Sequence, residues 1–200
     1  MRRMSDADSK GEAYAARLAR LEGARWKRWL DVQQPYRWNL RRLGLGRTLE
    51  IGCGIGRNLE ALGPAALGVD HNAHAVEIAR KRGHRAWLPD AFRASPEAAL
   101  PFDALLFAHV LEHMVRDEAA ALVAQWLDRL RPGGKVLLIA PQEAGFRSDP
   151  SHVEFLDFDA LRELLGRVGC ETLRAWSFPF PRFAGRVFLH NEFMVLGRRV

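Results

Sequence analysis

The residues best suited to chemistry fall into five short stretches between positions 50 and 154. Glu50-Ile51-Gly52-Cys53-Gly54-Ile55-Gly56 sets a carboxylate ahead of three alternating glycines. Gly68-Val69-Asp70-His71-Asn72 supplies a second acid, and Leu88-Pro89-Asp90-Ala91-Phe92 a third. His109-Val110-Leu111-Glu112-His113 and Ser151-His152-Val153-Glu154 bring three histidines. Glycines let a ligand approach the main chain closely. A carboxylate ending a strand can accept two hydrogen bonds from a ribose diol. Histidine titrates near neutrality and suits proton removal.

These stretches need a scaffold that brings loop ends together, and the hydrophobic pattern supplies one. Thr48–Ile51, Ala66–Asp70, Ala86–Leu88, Phe102–Ala108 and Lys135–Ala140 read as short, nearly continuous apolar strands. Between them Arg57–Leu62, Ala73–Arg82 and Glu118–Leu130 read as helices, the last with Ala121, Leu122, Trp126, Leu127 and Leu130 inward. Asp159–Val168 is a further helix, before strands near Glu171–Trp176 and Val187–Leu196. Alternating strands and helices imply a parallel sheet covered on both faces. The segment Ser177–Gly185 is too proline-rich for a helix, so the last two strands should pair antiparallel. The expected fold is α/β: a doubly wound, Rossmann-like, mostly parallel seven-stranded sheet with an antiparallel last strand. Helices at Glu12–Asp31 and Tyr36–Leu43 precede it, giving an N-terminal arm over residues 1–45 and a main domain over 46–200.

The glycine loop excludes two common ligand classes. A dinucleotide fingerprint requires glycine or alanine at the sixth position of GxGxxG, where this chain has Arg57. A P-loop requires Gly-Lys-Ser/Thr, which is absent. Glu50, two residues before the first glycine, suits a ligand bearing an ammonium group. Asp70 suits a ribose, with helix N-capping as the competing role.

Taken together, these stretches resemble the class I S-adenosylmethionine-dependent methyltransferases of the small-molecule O- and N-methylating type. The resemblance runs from about Gly46 to Gly169 and includes Phe102–His113 and Arg131-Pro132-Gly133-Gly134-Lys135. It implies S-adenosyl-L-methionine as methyl donor. Gly52 and Gly54 would line its methionine part, with Glu50 near the amino group. Asp70 would hold the ribose hydroxyls and His71 flank the adenine. Asp90 and the Ala91 amide would bond the adenine edge, and His109 would lie beside the sulfonium. Arg37 is a candidate partner for the carboxylate.

Ala108-His109-Val110-Leu111 lacks the Asn/Asp-Pro-Pro-aromatic motif associated with methylation of adenine or glutamine nitrogens. The acceptor expected instead is an oxygen or nitrogen of a small biosynthetic metabolite, aromatic or anionic. Its base comes from His152, His109 or His113, with His152 favoured because it lies in the loop after the fifth strand. His109-x-x-Glu112-His113 also matches a metalloprotease motif. Its place after a buried strand is the wrong context, and no metal is expected; a divalent ion that helps deprotonate a catechol-like acceptor is the less remote alternative.

Composition narrows the setting. The chain has 200 residues and a net charge of +6. All of the excess is N-terminal: residues 1–47 hold 12 Lys+Arg and 5 Asp+Glu. Basic residues interleave with Trp26, Trp29, Tyr36 and Trp38, so RNA methylation is the alternative activity. A module that binds the donor without catalysis is another. The preferred role of the arm is to cover the active site. The two cysteines, Cys53 and Cys170, lie far apart and read as free thiols. With no signal-like or membrane-length apolar run, the expected location is cytoplasmic.

Overall fold

The computed structural model describes residues 33–200. The helix expected over Glu12–Asp31 lies outside the described residues. The first described helix, α1 (Gln34–Arg42), opens with Pro35, which is tolerated in a first turn. Its Leu40 and the following Leu45 enter the core beside Ala61 and Leu106.

Seven strands follow: β1 (Thr48–Ile51), β2 (Leu67–Val69), β3 (Ala86–Trp87), β4 (Phe102–Ala108), β5 (Leu130–Pro141), β6 (Cys170–Phe178) and β7 (Glu192–Arg199). They form one sheet in the order β3-β2-β1-β4-β5-β7-β6. The first five are parallel; β7 enters antiparallel between β5 and β6. The order reverses between β1 and β4, and ligands of open α/β sheets bind beyond the strand ends at such a point.

Both faces of the sheet are dry. In β4, Leu105 and Phe107 join one apolar cluster and Leu106 and Ala108 the other. That explains why this strand is apolar without alternation. Its helices are α2 (Arg57–Leu62), α3 (Ala73–Lys81), α4 (Pro89–Arg93), α5 (Arg116–Trp126), α6 (Glu143–Arg147) and α7 (Phe158–Arg167). α7 buries Leu161, Leu164 and Leu165 as its spacing predicts. In α5 the buried face is Ala119, Ala120, Val123 and Trp126. Ala121 is exposed, a correction to the expected face. Because alanines stand on several sides of α5, the pattern leaves the angle of the apolar stripe open.

Two local expectations change at the C-terminal end. The stretch after the prolines does coil, as a 3-10 helix over Arg182–Arg186 that begins just past Pro181. The last strand begins at Glu192, not near Val187. Val187 is 83% exposed, so its apolar character marks a loop surface and not a strand. Cys53 and Cys170 are free and buried. No helix among the described residues is long and apolar enough to cross a membrane.

Candidate active site

The donor side is assembled from the ends of β1, β2 and β3. Gly52 has φ 76°, and a Cβ there would come within 2.2 Å of Val110 Cγ2. A side chain at this position is therefore excluded by both backbone and space. The Gly52 and Cys53 amides donate to Val69 O at 2.8 and 3.1 Å, binding the loop to β2. Asp70, only 8% exposed, accepts from the Gly54 amide (2.8 Å) and the Asn72 amide (2.8 Å). Each of its oxygens keeps a lone pair for a further donor. The cap of α3 is Asn72, whose Oδ1 accepts from His74 and Ala75. Asp70 is thus not the capping residue.

Glu50 is fully buried at the end of β1. Its Oε1 accepts from Asn58 Nδ2 at 2.7 Å, while Oε2 has no partner. Burial, joined by the nearby Asp70 charge, lifts its pKa to about 8 against the Asn58 hydrogen bond. A buried, half-satisfied carboxylate is costly unless a cationic donor completes it. This is the observation that tests the implied methyl donor, and an ammonium group fits it. Asp90 and Ala91 stand in the first turn of α4, whose N–H groups have no partner inside the helix. Asp90 is fully exposed apart from a contact with Arg93, and His71 is also exposed. Arg37 lies 3.6 Å from Glu60 of α2.

His109 joins the two sides. It ends β4 with φ 56°, the one non-glycine residue with positive φ among those described. Such a backbone is uncommon and points to an imposed constraint. Its Nε2 lies 2.9 Å from Glu192 Oε1 and its Nδ1 3.3 Å from Glu112 Oε1. Burial works against a charged ring here, yet hydrogen bonding to the two carboxylates outweighs it and raises the pKa to about 10. The imidazole is held as a cation, with no lone pair for proton removal. Two acidic side chains thus flank the histidine at this strand end.

His113 and His152 meet with ring centroids 4.9 Å apart. His152 Nδ1 lies 2.8 Å from Phe146 O, and His113 Nδ1 3.2 Å from Ser151 O. Carbonyls only accept, so each Nδ1 carries the proton and each Nε2 keeps its lone pair. The loop carrying His152 is tied to the Leu111–His113 turn, because the Val153 and Glu154 amides both donate to Glu112 O. The helix that follows, α7, is capped by Asp157 and not by His152.

Sequence reasoning missed Glu192 as a site residue. A lone acid opening an otherwise apolar last strand was its only signal. Gln142, Asn191 and Ser177 form a buried network behind it, with Gln142 Nε2 donating to Ser177 Oγ (2.7 Å) and Asn191 Nδ2 to Gln142 Oε1 (2.9 Å). Tyr36 of α1 reaches the same loop, donating to His190 O at 2.7 Å and packing edge-on to Phe178. Phe178 is buried, whereas Phe180 and Phe183 are exposed. Among the described basic residues of the arm, Arg41 bonds Ala61 O and Arg42 bonds Asn39; just after the arm, Arg47 bonds the backbone at Glu97, Leu100 and Pro101.

The sheet order and the switch-point cleft define the class I methyltransferase fold. Residues 49–136 match the family model described as a methyltransferase domain. No curated protein matches the sequence. Among solved structures, a magnesium protoporphyrin IX methyltransferase from Synechocystis PCC 6803, with bound SAH, is similar at TM-score 0.70 and 15% identity. The match covers 96% of this chain and 97% of that one. A SAM-dependent methyltransferase from Archaeoglobus fulgidus matches at TM-score 0.64 and 18% identity, over 86% and 97%. The N-methyltransferase NodS from Bradyrhizobium japonicum WM9, in complex with SAH, matches at TM-score 0.62 and 19% identity, over 90% of each chain. Residues 49–136 thus match a methyltransferase domain, and the chain shares the fold of these S-adenosylmethionine-dependent enzymes.

Proposed function

We propose that the protein methylates an oxygen or nitrogen of a small metabolite, with His152 Nε2 taking the acceptor's proton. The observation that carries this reading is the fixed tautomer of His152. Its Nδ1 proton is committed to Phe146 O, and its free lone pair stands on the acceptor side of the cleft. His109, the other strand-end histidine, is spent as a cation between Glu112 and Glu192.

On the donor side Glu50 Oε2 takes the ammonium group and the Gly52–Gly54 backbone lines the methionine chain. Asp70 accepts from the ribose hydroxyls and His71 flanks the adenine. Asp90 and the Ala91 amide bond the adenine edge, and Arg37 pairs with the carboxylate. S-adenosylmethionine supplies an electrophilic methyl group. What remains for the protein is position and a deprotonated acceptor.

Calorimetry with S-adenosylmethionine and with NAD tests the donor site; NAD binding alone would sink it. Single-turnover methylation of phenol and amine acceptors then compares wild type with His152→Ala. Equal rates in the two proteins would remove His152 as the base.

A further inference from the structure

We infer that Glu112, His113 and His152 bind a borderline divalent cation of the Zn²⁺ class, and that this ion receives the acceptor's hydroxyl. A carboxylate oxygen of Glu112 and one nitrogen from each histidine lie within 4.8 Å of one another. Two histidines and one glutamate are a zinc donor set that leaves a position open for substrate. Imidazole ligands favour such cations over Mg²⁺ or Ca²⁺, which prefer all-oxygen shells.

Two independent features point to a ligand at this cluster. Glu112 is 0% exposed, and its Oε2 has no hydrogen-bond partner while Oε1 faces His109. A carboxylate oxygen buried with no hydrogen-bond partner is open to a further ligand. The second is the support behind the histidines. Metal-binding histidines nearly always give their other ring N–H to a carbonyl or carboxylate, which fixes tautomer and ring angle. Both rings do this here, His113 to Ser151 O and His152 to Phe146 O, and Phe146 also stacks on His152.

The grouping is not the H-x-x-E-H motif visible in the sequence. His109 leaves that motif to pair with Glu192, and the third ligand arrives from the loop after β5. The absence of metal expected from the motif's context thus addressed a different set of residues. Closing the cluster to ligand distances of about 2.0–2.2 Å requires the side chains to draw inward.

The inference rests on the acceptor site proposed above and narrows it to a phenolic or enolic hydroxyl. A hydroxyl bound at the open position is acidified by the cation, and its proton leaves to solvent. The oxygen pair forms the new C–O bond as the S–CH₃ bond breaks. That bond's electrons stay on sulfur, giving S-adenosylhomocysteine. The lone pair of His152 then belongs to the metal. If no ion binds, it remains the base.

The test uses the full chain, stripped with a chelator and titrated with Co²⁺ as a spectroscopic probe. One equivalent should give the visible bands of a four- or five-coordinate site, and Zn²⁺ should erase them. Glu112→Gln, His113→Gln and His152→Gln should each weaken Co²⁺ binding by at least about 100-fold. Retained S-adenosylmethionine binding shows that each variant is folded; the histidine variants, at half-buried positions, serve if Glu112→Gln does not fold. No Co²⁺ bands in a wild type that binds S-adenosylmethionine, or bands indifferent to all three substitutions, would overturn the metal site alone. Binding of Mg²⁺ but not Co²⁺ would overturn the assigned cation class. Failure of the wild type to bind S-adenosylmethionine would instead overturn the donor-site reading.

Discussion

The donor and acceptor sides of the cleft are built in opposite ways. The donor side uses backbone amides, three glycines and acids that follow one strand each, all within residues 50–91. The acceptor side gathers a strand end (His109), a 3-10 turn (Glu112, His113), a loop (His152) and the start of the last strand (Glu192). The first is a short sequence of strand-loop-helix units that recurs locally. The second exists only because β7 inserts between β5 and β6 and carries Glu192 back to β4's end. A donor of fixed chemistry can be held by a local backbone device. An acceptor particular to one reaction is held by side chains from variable loops, which a scaffold can exchange without disturbing the donor site.

The sharpest test of that division is His152→Ala. Loss of the His152 ring nitrogen should lower kcat by about 10²- to 10⁴-fold and leave S-adenosylmethionine affinity unchanged. A parallel loss of affinity would mean the two sides are not separable.

Next in size is Glu50→Gln, which should weaken S-adenosylmethionine by roughly 2–5 kcal/mol in calorimetry. The same substitution should help the ligand-free protein. Glu50 has a folded pKa of about 8, above its ordinary 4.5. The folded state therefore binds its proton more tightly than the unfolded state. The stability is present below pH 4.5 and lost as pH rises through 8, by a few kcal/mol at most. Thermal melts of the ligand-free protein from pH 5 to 9 should fall more steeply for wild type than for Glu50→Gln. Identical pH dependence would show that Glu50 is not buried as a charge.

Gly52→Ala should destabilise the chain by about 1–3 kcal/mol through its positive φ and the contact with Val110, measured by urea unfolding. An unchanged midpoint would mean the loop relaxes freely. Asp90→Ala removes one exposed acceptor and should weaken S-adenosylmethionine by about two- to tenfold. Arg37→Ala should have the least effect, up to about fivefold, because Glu60 already lies beside it. No change in affinity would remove Arg37 from the donor site.

Much of the fold was legible because its periods are simple. β1, β4 and α2 stand at their expected bounds, since dry strands are unbroken apolar runs and the glycines mark where they end. The short helices α4 and α6 and the true start of β7 were not legible. Each is decided by packing against neighbours more than by its own pattern, as Val187 in its exposed loop illustrates.

The sequence by itself carried the proposed donor chemistry. Glu50, the glycines, Asp70 and Asp90 are spaced by strand and loop lengths, so their order along the chain already encodes their order around the cleft. Only the tertiary structure decided the acceptor side. Three histidines were candidate bases, with His152 favoured only by its loop, until folding placed Glu112 and Glu192 against one of them and backbone carbonyls against the other two. A histidine's charge and tautomer are set by what touches its two nitrogens, and those contacts span 38 to 83 positions of sequence for His113 and for His109 with Glu192.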